Sequence, residues 1–179
     1  MKKQEIIEFL LKKYDFFVSY INGLTDEDYL VSYQQKWTAG QQLAHLVQCV
    51  KPLVKVYGMD KPTLEQTFGF ATKPSLTYEG LLEQYNEKLN QPYTLADRYA
   101  PEPVSLEQRQ PLTENLTRLI QDLCTKVESF TEQELDTFCI PHPLLGSLTL
   151  REMLQNAIAH VEHHHEATKQ NITLATSKN

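Results

Sequence analysis

The feature that most constrains the fold is a helical spacing of apolar residues along almost the whole sequence. In the first segment these residues recur every three or four positions: Ile6, Ile7, Leu10, Leu11, Tyr14, Phe17, Val18 and Ile21. Such spacing places them on one stripe of an α-helix, which Asn22-Gly23 ends. No segment shows the clear alternation of a β-strand. The pattern therefore predicts an all-α protein.

A second long helix is predicted to begin after Thr38, which can cap it while Gln41 reaches back to the capping residue. Pro52 lies inside the apolar pattern of this helix and predicts a kink or an early end. The buried side of the helix is formed by Leu43, Leu46, Val47, Val50 and Val54.

Three more helices follow in the C-terminal two thirds of the chain. Residues 78–89 predict a short helix, and apolar positions from Leu112 to Phe130 predict a long one, with Pro111 in its first turn or at a kink. Thr149 and Glu152 form a second capping box, which opens the last helix. Residues 91–105, with three prolines, and residues 138–147, FCIPHPLLGS, are predicted to be loops.

Four long helices and one short helix predict a four-helix bundle that forms a single domain over residues 1–179. The net charge is −6 and basic residues are scattered, so we expect no nucleic-acid binding. No segment is long and apolar enough to span a membrane. Three cysteines without CxxC spacing favour a reducing cytoplasm. A homodimer is plausible, since the apolar stripes need not all be buried internally.

Four of the six histidines fall within HVEHHHEATKQ, residues 160–170, in the last predicted helix. Successive helical residues turn by about 100°, so His164 lies about 40° from His160 and roughly one turn further along. Both lie at the edge of the apolar stripe, whereas His163 lies at its margin. His165 is about 140° from His160 and cannot converge with it. Each ring alone fits an ordinary surface or hydrogen-bonded histidine; the inward pair favours a shared divalent metal.

His45 is the third candidate ligand, in the middle of the second long helix. It shares a face with Gln41, Gln42 and Cys49, opposite the apolar side. One histidine from one helix and an i, i+4 pair from another is how helical bundles build metal sites. Three neutral imidazoles with open positions form the ligand set of a catalytic zinc. Cys49 could line this site or act as a soft ligand, but packing as an ordinary buried thiol is the favoured interpretation.

His142, between two prolines, is interpreted as a loop residue. It precedes His160 by a loop and about 16 Å of helix rise, so we expect it not to share the metal. Gln41, Gln42 and Asn156 are candidates for hydrogen bonds to the ligands or to a substrate. The sequence identifies no catalytic acid or base, and Trp37 is interpreted as a core anchor.

With these residues assembled, the chain resembles the DinB-like (YfiT-like) superfamily of four-helix-bundle metalloproteins. The resemblance rests on KWTAGQQLAHL, which contains Trp37 and His45, and on the segment from Ile140 to Gln170, which contains the His160–His164 pair. It implies that His45, His160 and His164 hold a divalent ion, zinc or nickel. The family includes thiol-dependent transferases and isomerases and a metal-dependent hydrolase.

Two functions remain open from the sequence. The first is a metal-dependent enzyme, a hydrolase or a low-molecular-weight thiol transferase, that acts on a small molecule such as a thiol. The second is a non-catalytic metal or small-ligand binding module. A dimeric scaffold with histidines that have no role in function is the least supported alternative, because three histidines match the family pattern.

Overall fold

The computed structural model describes residues 1–91 and 101–177. The helices of this part of the chain are α1 (Lys3–Gly23), α2 (Asp26–Leu30), α3 (Ala39–Tyr57), α4 (Lys61–Phe68), α5 (Tyr78–Leu89), α6 (Arg109–Val127), α7 (Glu132–Thr137) and α8 (Leu150–Thr176). A 3₁₀ turn, Leu106–Gln108, precedes α6, and strands β1 (Cys139–His142) and β2 (Gly146–Thr149) precede α8. The protein is mostly helical, which confirms the predicted all-α class.

The four long helices pack against one another around the apolar core. α6 packs against α1 and α3, α8 packs against the same two helices, and α5 contacts α8. The largest fully buried side chains include Tyr14 and Phe17 from α1 and Leu43 and Leu46 from α3. α3 and α8, which carry the candidate histidines, therefore face each other across the interior. In the described residues, no helix is both long enough and apolar enough to cross a membrane.

Both predicted capping boxes are confirmed, and they fix where the two histidine-bearing helices begin. The Thr38 hydroxyl accepts the Gln41 N–H at 3.2 Å, and Gln41 Oε1 accepts the Thr38 N–H at 3.0 Å. Thr149 and Glu152 make the same pair of bonds, at 3.1 and 2.7 Å. These reciprocal bonds satisfy donors that a helix start otherwise leaves unpaired.

The predicted helix bounds need three adjustments. α3 continues through Pro52 to Tyr57, so the proline does not end it. α6 begins at Arg109, which places Pro111 in the first turn, and it ends at Val127, before Phe130. The prediction of four long helices and one short one omitted α2, α4 and α7. These helices have 5, 8 and 6 residues, too few for a recognisable apolar stripe.

The segment 138–147 was predicted to be a loop, and that prediction is wrong. β1 and β2 pair antiparallel, with Cys139 opposite Thr149 and His142 opposite Gly146. Gly146 has φ 78°, in the left-handed region that glycine adopts without strain. Pro141 lacks an N–H, which a two-stranded sheet with two open edges tolerates. The predicted loop 91–105 lies mostly outside the described residues; its residues 101–105 are neither helix nor strand.

Candidate metal centre

Three histidine rings from α3 and α8 meet at one point between the helices. His160 Nε2 lies 3.2 Å from His45 Nε2 and 2.8 Å from His164 Nε2. The nearest ligand atoms of all three residues lie within 4.8 Å of one another. Tetrahedral zinc with Zn–N bonds of about 2.0–2.1 Å separates its ligand nitrogens by about 3.3 Å. The two observed separations fall below that value by at most about 0.5 Å, so the three histidines form a group that could hold one metal ion.

The hydrogen bond from His164 to Gln42 fixes the tautomer of His164. His164 Nδ1 donates to Gln42 Oε1, and both side chains are buried. Because a neutral imidazole carries one proton, Nε2 of His164 is then unprotonated. A proton on His160 Nε2 can serve one neighbouring nitrogen, not both. At most one of the two short nitrogen–nitrogen contacts is therefore a hydrogen bond, whereas a cation between the rings would be bound by all three nitrogens.

Burial keeps the rings on α8 neutral. The pKa of His160 is well below its ordinary value because the ring is desolvated and because charges on His45, His163 and His142 would repel its own. The pKa of His164 is also well below its ordinary value, first because the ring is desolvated and then because charges on His160, His45 and His163 would repel its own. Neutral imidazoles at physiological pH can bind a metal ion without first losing a proton.

The sequence profile of the DinB superfamily matches residues 11–167, a range that includes α3, the hairpin and all three histidines. The chain belongs to the DinB superfamily. The predicted resemblance is thereby confirmed. A search of curated proteins gives no match to the chain.

Trp37 covers the histidine cluster in this DinB-superfamily protein. Its ring stacks on His164, with centroids 6.2 Å apart and planes 7° apart, and it lies 5.1 Å from His45. Trp37 is half-buried, and the core cluster of the described residues does not include it. The interpretation as a core anchor is therefore wrong: Trp37 packs on two of the three histidines and forms a wall of the site.

Cys49 lies one turn after His45 on α3 and lines the site. Its Sγ is 3.5 Å from His45 Nε2, and the side chain is half-buried. Desolvation raises the pKa of this thiol to about 12, so it is protonated at neutral pH. The group of mutually close ligand atoms among the described residues contains the three histidines and not Cys49.

The other three histidines lie outside this group of ligand atoms. His163 is exposed, with its ring 5.2 Å from that of His164. His165 is buried and packs on the other side of α8 against Phe16 and Tyr20 of α1, as its angle from His160 predicts. His142 Nδ1 accepts the N–H groups of Leu144 and Leu145 at 3.1 and 3.0 Å, within the hairpin turn.

The sequence did not predict the contact between His142 and Asn156 of α8. Desolvation lowers the pKa of His142 to about 4, although a hydrogen bond from the His142 ring to the Asn156 side chain acts in the opposite direction. The hairpin thus folds back along α8, one turn before His160. His142 was expected not to share the metal, and the ligand group of the described residues does not include it, but a charge on His142 would lower the pKa of His160. Asn156 had been named only as a possible source of a hydrogen bond.

Proposed function

We propose that His45, His160 and His164 bind one divalent metal ion, zinc or nickel. The observation that carries this proposal is the convergence of three Nε2 atoms, at 2.8 and 3.2 Å from the central one, with Gln42 holding the tautomer of His164. Imidazole suits both metals, so metal supply as well as affinity decides which is found. Membership of the DinB superfamily supports the same ligand set.

We further propose that the protein is a metal-dependent enzyme acting on a small molecule, by hydrolysis or by transfer of a low-molecular-weight thiol. Three neutral ligands leave the ion's charge uncompensated, and a divalent ion in such a site acidifies a bound water or thiol near neutral pH. The protein's residues supply a partly polar wall of Gln42 and Cys49 and an aromatic wall of Trp37. Together, the polar wall and the aromatic wall suit a small organic substrate.

The alternative is a non-catalytic metal or small-ligand binding module. The side chains found against the three histidines favour it in one respect. Gln42 and Trp37 cannot act as general bases, and the Cys49 thiol, with its pKa raised to about 12, is a poor one near neutral pH. An enzyme of this kind would depend on the ion, or on its substrate, for proton transfer.

For the architecture, we propose that α1, α3, α6 and α8 form a four-helix bundle in a single domain over residues 1–179, with α5 as an additional short helix. The shared partners of α6 and α8 support it. We also propose a homodimer. Phe9 and Phe16 lie on one side of α1 and are 41% and 61% exposed, and a second copy would remove this apolar surface from water.

The test of the enzyme proposal is a panel of esters, amides and electrophiles, assayed with and without added small thiols. Metal-loaded protein is compared with a variant in which all three histidines are alanine. We expect turnover of at least one compound, which chelation abolishes and added metal restores. His160→Ala should lose that turnover while keeping its helical circular dichroism. Identical behaviour of the two proteins across the panel, with metal bound to the first, would favour the binding module.

A further inference from the structure

Asn156 presents a buried hydrogen-bond donor without a partner. The residue is 4% exposed, and its Nδ2 makes no hydrogen bond within the described part of the chain. An unpaired buried amide N–H costs free energy, so such a group requires an explanation. A ligand that accepts this hydrogen bond would provide one.

The hairpin fixes which end of the Asn156 amide is left unpaired. His142 Nδ1 accepts two backbone N–H groups, those of Leu144 and Leu145, so the neutral ring carries its proton on Nε2. His142 Nε2–H therefore donates to the Asn156 side chain, whose oxygen is the acceptor. That hydrogen bond is the one that raises the pKa of His142. With the oxygen engaged, the NH₂ group is the free end.

Asn156 lies beside the histidine cluster. It precedes His160 by four residues on α8, which places the two side chains within about 40° on one face and about 6 Å apart along the axis. Asn156, His160 and His164 thus follow one another along one side of α8.

We infer that Asn156 is a ligand-positioning residue, and that the site takes small carboxylates or similar oxygen anions, one oxygen in the histidine cluster and the other on Asn156 Nδ2. This inference rests on the proposed metal function. The cluster contributes three neutral ligands and so favours an anionic fourth one. Asn156 and His160 lie about one helical turn apart, a separation that the two oxygens of one carboxylate could bridge.

The experiment uses Co²⁺-loaded protein, whose visible spectrum reports the ligands of the ion, titrated separately with acetate and with imidazole. Coordinated acetate retains an oxygen that can accept from Asn156. Coordinated imidazole presents only an N–H. We expect Asn156→Leu to weaken acetate binding by about 10- to 100-fold, the effect of losing one hydrogen bond to a charged group. Imidazole affinity and Co²⁺ affinity should remain within about twofold.

Two further variants separate positioning from folding. Asn156→Asp retains the acceptor for His142 but removes the donor, so it should also lose acetate selectivity while keeping its helical circular dichroism. Gln155→Met is the matched control. Gln155 is fully buried with both amide atoms unpaired among the described residues, but it lies about 100° further round α8 from Asn156. We expect this variant to bind acetate as the wild type does.

Each remaining outcome contradicts the inference at an identifiable step. Unchanged acetate affinity in Asn156→Leu would overturn it while leaving the metal site intact. An equal loss of acetate and imidazole would overturn it too, because it would indicate a general disturbance of the site. Failure of the wild-type protein to bind Co²⁺ would overturn the metal function, and with it this inference.

Discussion

Replacing Gln42 by leucine tests how the protein prepares His164 for metal binding. Gln42 Oε1 accepts the proton of His164 Nδ1, and the two side chains are 6% exposed each, so water has little access to replace the amide. Without this acceptor the proton can move to Nε2, the nitrogen that faces His160 at 2.8 Å. A metal ion must then displace that proton before His164 can act as a ligand.

The expected effect is a 10- to 100-fold loss of metal affinity, the usual range when a hydrogen bond to a ligating histidine is removed. This corresponds to about 1.4–2.8 kcal/mol. The assay is competition for Zn²⁺ between the protein and a chromophoric chelator near neutral pH. Gln42→Glu should retain or increase the affinity, because a carboxylate accepts the same bond more strongly.

Gln48→Leu is the matched control, since Gln48 is exposed on the same helix. It should bind Zn²⁺ as the wild type does. Equal affinity of Gln42→Leu and the wild type would refute the argument that Gln42 sets the tautomer of His164. Loss of affinity in Gln48→Leu as well would attribute the effect to α3 as a whole.

Three other predictions concern His163, His142 and the net charge. His163→Ala should retain one metal ion per chain by elemental analysis, because His163 is exposed and outside the ligand group; loss of the ion would place His163 in the site. His142 has its pKa lowered from 6.5 to about 4, so the unfolded chain binds the extra proton and the metal-free protein loses stability as pH falls through that window. In urea denaturation, His142→Gln should reduce the fall in the free energy of unfolding over this pH range by up to about 3 kcal/mol. If the wild type and the variant lose stability equally as pH falls, the pKa given to His142 is contradicted. With a net charge of −6, the protein should show no tight, salt-sensitive DNA binding in an anisotropy titration; such binding would refute the charge argument.

Local signals explain what could be predicted of the fold. The helix starts at Thr38 and Thr149 follow from residues three positions apart, and the long apolar stripes follow from helical periodicity. Capping signals were also present at Thr25 and Thr131 and would have identified α2 and α7. The hairpin was missed because each strand has four residues and β1 contains Pro141.

Non-local contacts explain what the sequence could not predict of the site. The angular positions of His160 and His164 on α8 place them on an inward edge, and the convergence with His45 follows once α3 and α8 face each other. Spacing alone cannot indicate that Gln42 pairs with His164, since 122 residues separate them. The His142–Asn156 contact depends on the hairpin, so it could not be predicted while that segment was taken as a loop.

X-ray absorption at the zinc edge of the zinc-loaded protein tests the central claim most directly. The account predicts one zinc per chain with three imidazole nitrogens at about 2.0–2.1 Å and a further light-atom ligand in the open position. His163→Ala should give the same spectrum as the wild type. His160→Ala should lose the signal of zinc bound by three imidazoles. Fewer than three imidazoles in the wild-type protein, or a sulfur ligand at about 2.3 Å from Cys49, would contradict an open site built from His45, His160 and His164.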